Sequence, residues 1–242
     1  MKRRKRKGTF LIRTGMILIA SAVGFAGYNL YDGFRAEYAS GQIIGPLEAA
    51  IVPSVTSSPS GVSDGSILND NEEALPENPI EVDTLMETEI PDYILNPDME
   101  MPTSRHDGQD CIGILEIPAL ELKLPVISEW SYPRLKIAPC RYTGSAYKNN
   151  LVISAHNYAR HFGSLKELDG GERVIFTDAD GNQFDYRVDL RETLDPRDVD
   201  YMINSEWDLT LFTCTVGGSY RVTVRCSLKC KLQADKEGIY CE

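Results

Sequence analysis

Leu209-Thr210-Leu211-Phe212-Thr213-Cys214-Thr215-Val216-Gly217-Gly218-Ser219-Tyr220-Arg221-Val222-Thr223-Val224-Arg225-Cys226-Ser227-Leu228 is the most informative stretch of this 242-residue chain. Two runs rich in β-branched and aromatic residues, 209–213 and 220–228, flank a Gly-Gly pair, which reads as two strands joined by a turn. Cys214 ends the first strand, where a thiol can be exposed as a mid-strand thiol cannot. A free thiol has a pKa near 8.5 and needs a neighbouring base or positive charge to supply thiolate. If the strands pair through Gly217-Gly218, Arg221 faces Cys214 across the hairpin. Its guanidinium is permanently charged and offers several donors to a thiolate or a developing oxyanion. Arg225 is the competitor, four residues along the same face and about 13 Å away.

Outward from this hairpin the pattern stays β. Ile112, Ile114 and Ile117 open a strand, and Leu120, Leu122, Leu124 and Val126 alternate with other residues. Leu151-Val152-Ile153 is a short apolar run of the buried-strand kind, and His156 follows where that strand leaves the core. Runs 172–177 and 183–190 flank Asp178-Ala179-Asp180-Gly181-Asn182, a hairpin turn. Short helices fit 132–137, 163–168 and 196–204. Seven or eight short strands over about 120 residues predict a mainly β domain, a closed barrel or a sandwich.

The N-terminal 104 residues are different. Positions 2–7 are all Lys or Arg, and 14–31 carry no charge. That apolar stretch, extended by Phe10, Leu11 and Ile12, predicts a single membrane-spanning helix over 10–31 with residues 1–9 cytoplasmic and the rest outside. The competing reading is a cleaved signal peptide ending near Ala20-Ser21-Ala22. Between Ala36 and Ser104 there is no Lys or Arg but fourteen Asp or Glu. Rich also in Ser and Pro, residues 32–104 read as an extracellular acidic stalk. The alternative is that 90–101 folds back over the domain as a lid or an N-terminal helix. Residues 31–38 read as continuing the membrane helix for a turn or two. From Arg105 to the end, 17 basic and 21 acidic residues leave a net charge of −4, so the overall −11 comes mainly from the stalk. Beyond the N-terminal hexamer there is no basic face for nucleic acid.

Six cysteines stand at 111, 140, 214, 226, 230 and 241. An outside location permits disulfides, but the sequence does not identify pairs, and buried thiols are the other reading. Without a CxxC or Cys/His cluster, a zinc site is not expected. Of the three histidines, His106 and His161 lie at the domain edge and in a loop.

Together these residues resemble the sortase family. Thr210-Leu211-Phe212-Thr213-Cys214 matches its Thr-Leu-x-Thr-Cys signature, 221–228 resembles its last strand, and 151–157 resembles the strand ending in its histidine. Residues 162–168 resemble the short helix that follows. The resemblance runs over about 111–232. Two departures are Ala155, where the family commonly has Gly, and a short loop between Cys214 and Arg221. The resemblance implies a closed eight-stranded β-barrel with short helices over 105–242, and a transpeptidase with Cys214 as nucleophile, His156 as acid/base and Arg221 as cationic helper. Thr213 would contact substrate. The implied partners are secreted proteins with a Leu-Pro-x-Thr-Gly-like sorting signal and an amine acceptor, a peptidoglycan precursor or a pilin lysine. No cofactor is expected; Asp195, Asp198 and Asp200 are a solvated loop or, as in one family branch, a calcium site. The rival readings are a pilin-polymerising sortase, which the absence of a C-terminal apolar segment disfavours, and a non-catalytic surface module. The L,D-transpeptidases, which also use Cys and His, carry a His-Gly-Cys segment that this sequence lacks.

Overall fold

The computed structural model describes residues 3–51, 90–204, 206–229, 232–235 and 238–241. Among the described residues there are eleven strands: β1 (Ser104–His106), β2 (Gln109–Ile117), β3 (Leu122–Ile127), β4 (Cys140–Thr143), β5 (Leu151–Ser154), β6 (Arg173–Asp178), β7 (Gln183–Leu194), β8 (Leu209–Cys214), β9 (Arg221–Leu228), β10 (Leu232–Asp235) and β11 (Gly238–Cys241). Eight close on themselves in the order β2-β3-β4-β5-β8-β9-β7-β6, with β6 returning to β2. The domain is therefore a closed eight-stranded barrel, as the resemblance implied. Most neighbours are antiparallel, but β3–β4 and β5–β8 run parallel, so the barrel is mixed. A second hairpin, β10–β11, follows it.

Closure depends on Gly113. There β2 exchanges its neighbour β1, paired up to Cys111, for β6, paired from Gly113 onward. The backbone bulges between Cys111 and Gly113 and Gly113 takes φ 153°. A Cβ at this position would lie 2.0 Å from the Thr177 carbonyl oxygen, so the two strands meet only because no side chain stands between them.

Alternation along the strands sets what faces where. Leu151, Ile153, Ala155, Leu209, Leu211, Val224 and Cys226 join the barrel core. Val152 and Phe212 lie on the outer face, clustered with Leu194 and with Met202 of a short helix. A long helix, α1 (Arg3–Ile51), is followed by the short helices α2 (Asp92–Leu95), α3 (Tyr132–Leu135) and α4 (Val199–Ile203), plus a 3-10 turn at Phe162–Glu167.

The residues read as a stalk are built at both ends. Helix α1 runs on without a break past the apolar stretch, whose side chains are exposed all round, to Ile51. Ala36, Ser40, Ile43 and Leu47 recur at helical spacing and are buried. Ile43 and Leu47 pack with Ile114, Ile127, Leu135 and Ala138 on the outside of the barrel. Full burial of two such side chains contributes about 3–6 kcal/mol. Ion pairs from Glu37 to Arg160 and from Glu48 to Lys123 flank the stripe. At the other end, Tyr93 stacks on Tyr147 at 4.7 Å and Met101 enters the core. The rest of the stalk, 52–89, lies outside the described residues.

Candidate active site

Strands β8 and β9 pair antiparallel from Leu209↔Cys226 to Cys214↔Arg221. The hairpin is closed by Thr215 N–H donating to the Tyr220 carbonyl (3.0 Å) and Gly218 N–H to the Thr215 carbonyl (2.8 Å). Cys214 and Arg221 are thus the last pair before the turn. On the other side of β8, the parallel strand β5 is in register Ser154↔Phe212. The Ala155 N–H reaches the Phe212 carbonyl at 3.2 Å and the Thr213 hydroxyl donates to the Ala155 carbonyl at 2.8 Å. His156 and Cys214 are the next residues along these two strands. Both fall on the outer face by alternation, since Ala155 and its barrel neighbours face inward. One row across β5, β8 and β9 therefore carries His156, Cys214 and Arg221.

Their side chains are adjacent in register but not yet engaged. Arg221 turns back onto its own hairpin, donating to the Gly218 and Tyr220 carbonyls at 3.1 Å each. The His156 ring lies on Tyr158, centroids 4.9 Å apart, with Nε2 buried and without a hydrogen-bond partner among the described residues. Burial pushes its pKa below the ordinary imidazole value, against a smaller upward pull from Asp32, so the ring is neutral at pH 7. The Thr213 side chain is buried and its hydroxyl is committed to Ala155, tying β5 to β8 directly beneath the row.

Cys214 is the one partly exposed thiol among the four described cysteines, all of them free. Burial pushes Cys111 and Cys140 up to about 12 and Cys226 still higher, which leaves these three as packing groups. Cys230 and Cys241 lie outside the described side chains. A groove of about 360 Å³ opens at Cys214, lined also by Asn157, Ala159, Gly163, Ser164, Lys166, Glu167, Thr213, Thr215, Val216 and Val222. None of 90–101 borders it, so that segment braces the barrel elsewhere and is not a lid over the thiol. A larger cavity of about 740 Å³ lies between Asp98–Glu100 and β4, away from the thiol.

Arg225 has a different setting. It is fully buried, with Nε on Glu192 (2.8 Å), Nη1 on the Met202 carbonyl (3.1 Å) and Thr210 Oγ1 (3.0 Å), and Nη2 on the Tyr201 carbonyl (3.1 Å). It locks α4 onto β7, β8 and β9. His161 is buried too, its Nε2 3.2 Å from the Ser40 hydroxyl of α1. Asp195, Asp198 and Asp200 do not gather: no three acidic, His or Cys side chains among the described residues form a metal-binding group.

Reading the sequence missed two features here. Tyr158 carries the His156 ring and donates to Asp32 of α1 at 2.7 Å, a contact spanning 126 residues. Ser154 Oγ and Thr223 Oγ1 are buried hydroxyls without partners among the described residues, one row behind His156 and Arg221, in register with Phe212. Only alternation from His156 and Arg221 pointed to them.

A sequence profile of the sortase domain matches residues 115–229. Among solved structures, the chain is similar to sortase A from Corynebacterium diphtheriae (21% identity over 50% of this chain and 61% of that one, TM-score 0.44). It is similar also to sortase C1 from Streptococcus agalactiae (26%, 50% and 69%, TM-score 0.45) and to a Clostridium perfringens sortase D5 transpeptidase (23%, 49% and 79%, TM-score 0.45). The chain thus spans less than two thirds of the sortase A that it matches. No curated protein matches it. The profile match runs from within β2, through the strand before His156 and the Cys214–Arg221 hairpin, to just past β9. Over residues 115–229, from β2 to the end of β9, the chain is thus similar to the sortase domain.

Proposed function

We propose that this chain cleaves an LPxTG-like sorting signal through a thioester on Cys214 and passes the acyl group to an amine. The observation that carries the reading is the row of His156, Cys214 and Arg221 across β5, β8 and β9, with the only partly exposed described thiol at its centre. The Cys214 thiol passes its proton to His156 as Sγ attacks the scissile carbonyl carbon; the C–N bond then breaks and the departing amine takes that proton from His156. The incoming amine then attacks the thioester, returns a proton to His156, and Sγ leaves. A thiol and a neutral imidazole beside a fixed guanidinium can exchange that proton without a cofactor. Arg221 needs only to swing from its own turn carbonyls to meet an oxyanion or the substrate backbone. Thr213 borders the groove and, by gripping Ala155, holds the two reacting residues at one level.

In the same proposal the N-terminal helix, long and apolar enough to cross a bilayer, anchors the domain on the outer surface beside secreted substrates. The acceptor amine is a peptidoglycan precursor in this reading. Cys214→Ala tests it: the variant is to keep its melting temperature and lose cleavage of an LPxTG-type peptide. Turnover retained in that variant refutes the assignment.

A further inference from the structure

Helix α1 connects two places that matter. Its lower part, Phe10 to Tyr31, exposes apolar side chains on every side and spans about 33 Å at 1.5 Å per residue, enough for a hydrocarbon core. Tyr28 and Tyr31 stand at its outer end, where aromatic residues favour the headgroup layer. The very next residue, Asp32, accepts the Tyr158 hydroxyl at 2.7 Å. Successive turns then climb the barrel in order. Glu37 meets Arg160, Ser40 meets His161 and the Ile137 carbonyl, and Glu48 meets Lys123. At the top, the Ile51 carbonyl abuts Gly181 in the β6–β7 turn, within 3.3 Å of where a Cβ would stand. From Asp32 to Ile51 is about 29 Å of unbroken helix, comparable with the height of a small domain.

The barrel therefore has a lower and an upper end, and the candidate active site is at the lower one. Tyr158 bonds to Asp32, and its neighbours Asn157 and Ala159 line the Cys214 groove. The same groove is bordered by Val216, at the tip of the β8–β9 turn. Val216 is 93% exposed and Tyr220, at the base of that turn, is 51% exposed. An almost bare valine beside a half-exposed tyrosine is unfavourable in water and suits a headgroup layer.

We propose that α1 holds the barrel upright on the membrane, with the Cys214 groove at headgroup level and the Val216 turn dipping into the outer leaflet of the bilayer that α1 spans. The partner surface is lipid, and the groove admits peptides and amines presented at that surface. The proposal rests on the reading of α1 as a membrane anchor.

The test uses the full chain in phosphatidylcholine–phosphatidylglycerol vesicles. One protein carries Trp130→Phe, Trp207→Phe and Val216→Trp; a second carries only Trp130→Phe and reports from Trp207. Trp207 precedes β8, about 17 Å from the Cys214 end of that strand. Lipids spin-labelled near the headgroup are expected to quench Trp at 216 severalfold more than Trp207, and to blue-shift its emission. Four Gly-Ser residues inserted between Tyr31 and Asp32 are to remove most of that difference. Equal quenching of the two reporters in a chain that still resists alkaline extraction overturns the orientation and leaves the anchor standing. A chain extracted by alkali overturns both.

Discussion

Arg221 and Arg225 lie four residues apart on one face of β9 and have opposite environments. Arg221 is partly exposed and its guanidinium donates to its own turn. Arg225 is buried against Glu192 and two carbonyls of α4. Removing one partner of a buried pair typically costs about 3–5 kcal/mol, because the other charge is left without compensation. Arg225→Ala is therefore expected to lower the melting temperature strongly. Arg221→Ala is expected to leave melting almost unchanged while reducing kcat/KM for a sorting peptide by about a hundredfold or more, the usual effect of losing a donor to an oxyanion. Melting curves and peptide kinetics on the two variants separate the roles. An Arg221→Ala enzyme of normal kcat/KM would transfer the helper role elsewhere. The sequence allowed this ranking through hairpin geometry and through the resemblance. It could not show what occupies Arg225, because Glu192 and the α4 carbonyls are distant along the chain.

At the scale of elements, α1 and β2 carry the main lessons. The docked half of α1 was legible in principle, since Ala36, Ser40, Ile43 and Leu47 follow a helical stripe. The absence of Lys and Arg and the nearby Gly and Pro masked it, and Pro46 lies inside the helix. Composition describes a segment's average, whereas docking needs only four correctly spaced positions. His161, gripped by Ser40 beneath α1, gives this docking a pH signature. Burial, and then the charge of His156, hold its pKa down to about 4. Between pH 6.5 and 4 the unfolded chain binds a proton at this site that the folded chain does not, so stability is full above pH 6.5 and is lost as pH falls. A shift of this size corresponds to about 3 kcal/mol. Chemical denaturation at pH 7 and pH 4.5 is expected to show the loss, and His161→Gln to flatten it. An unchanged slope in His161→Gln would remove His161 as its source. At Gly113, alanine would place a Cβ on the Thr177 carbonyl. Gly113→Ala is expected to cost about 2–4 kcal/mol through strain at the closure, read as a lower denaturant midpoint. A neutral effect would mean that β2 and β6 can separate there without loss.

For the molecule as a whole, the strands around the hairpin were readable because alternation and turn chemistry are local. The ring they close was not. Short β1 and β4 carry little pattern of their own, and the parallel pairing of β5 with β8 joins residues about 58 apart. Yet that pairing is what sets His156 beside Cys214, so the candidate site came from resemblance where the sequence alone left a lone histidine. The structure supplies the physical reason for the match: two strand ends and one hairpin meet at one rim of a barrel, and α1 runs from that rim to the opposite one. The central claim is that Cys214 carries the acyl group. Incubating the full chain with an LPxTG-type peptide, without added amine, and analysing the acid-quenched protein by mass spectrometry tests it most directly. The expected result is a hydroxylamine-labile adduct with the mass of the acyl fragment, located on the peptide containing Cys214 and missing in Cys214→Ala. An adduct on Cys111, Cys140 or Cys226, or cleavage with no covalent adduct on Cys214 at any time, would contradict it.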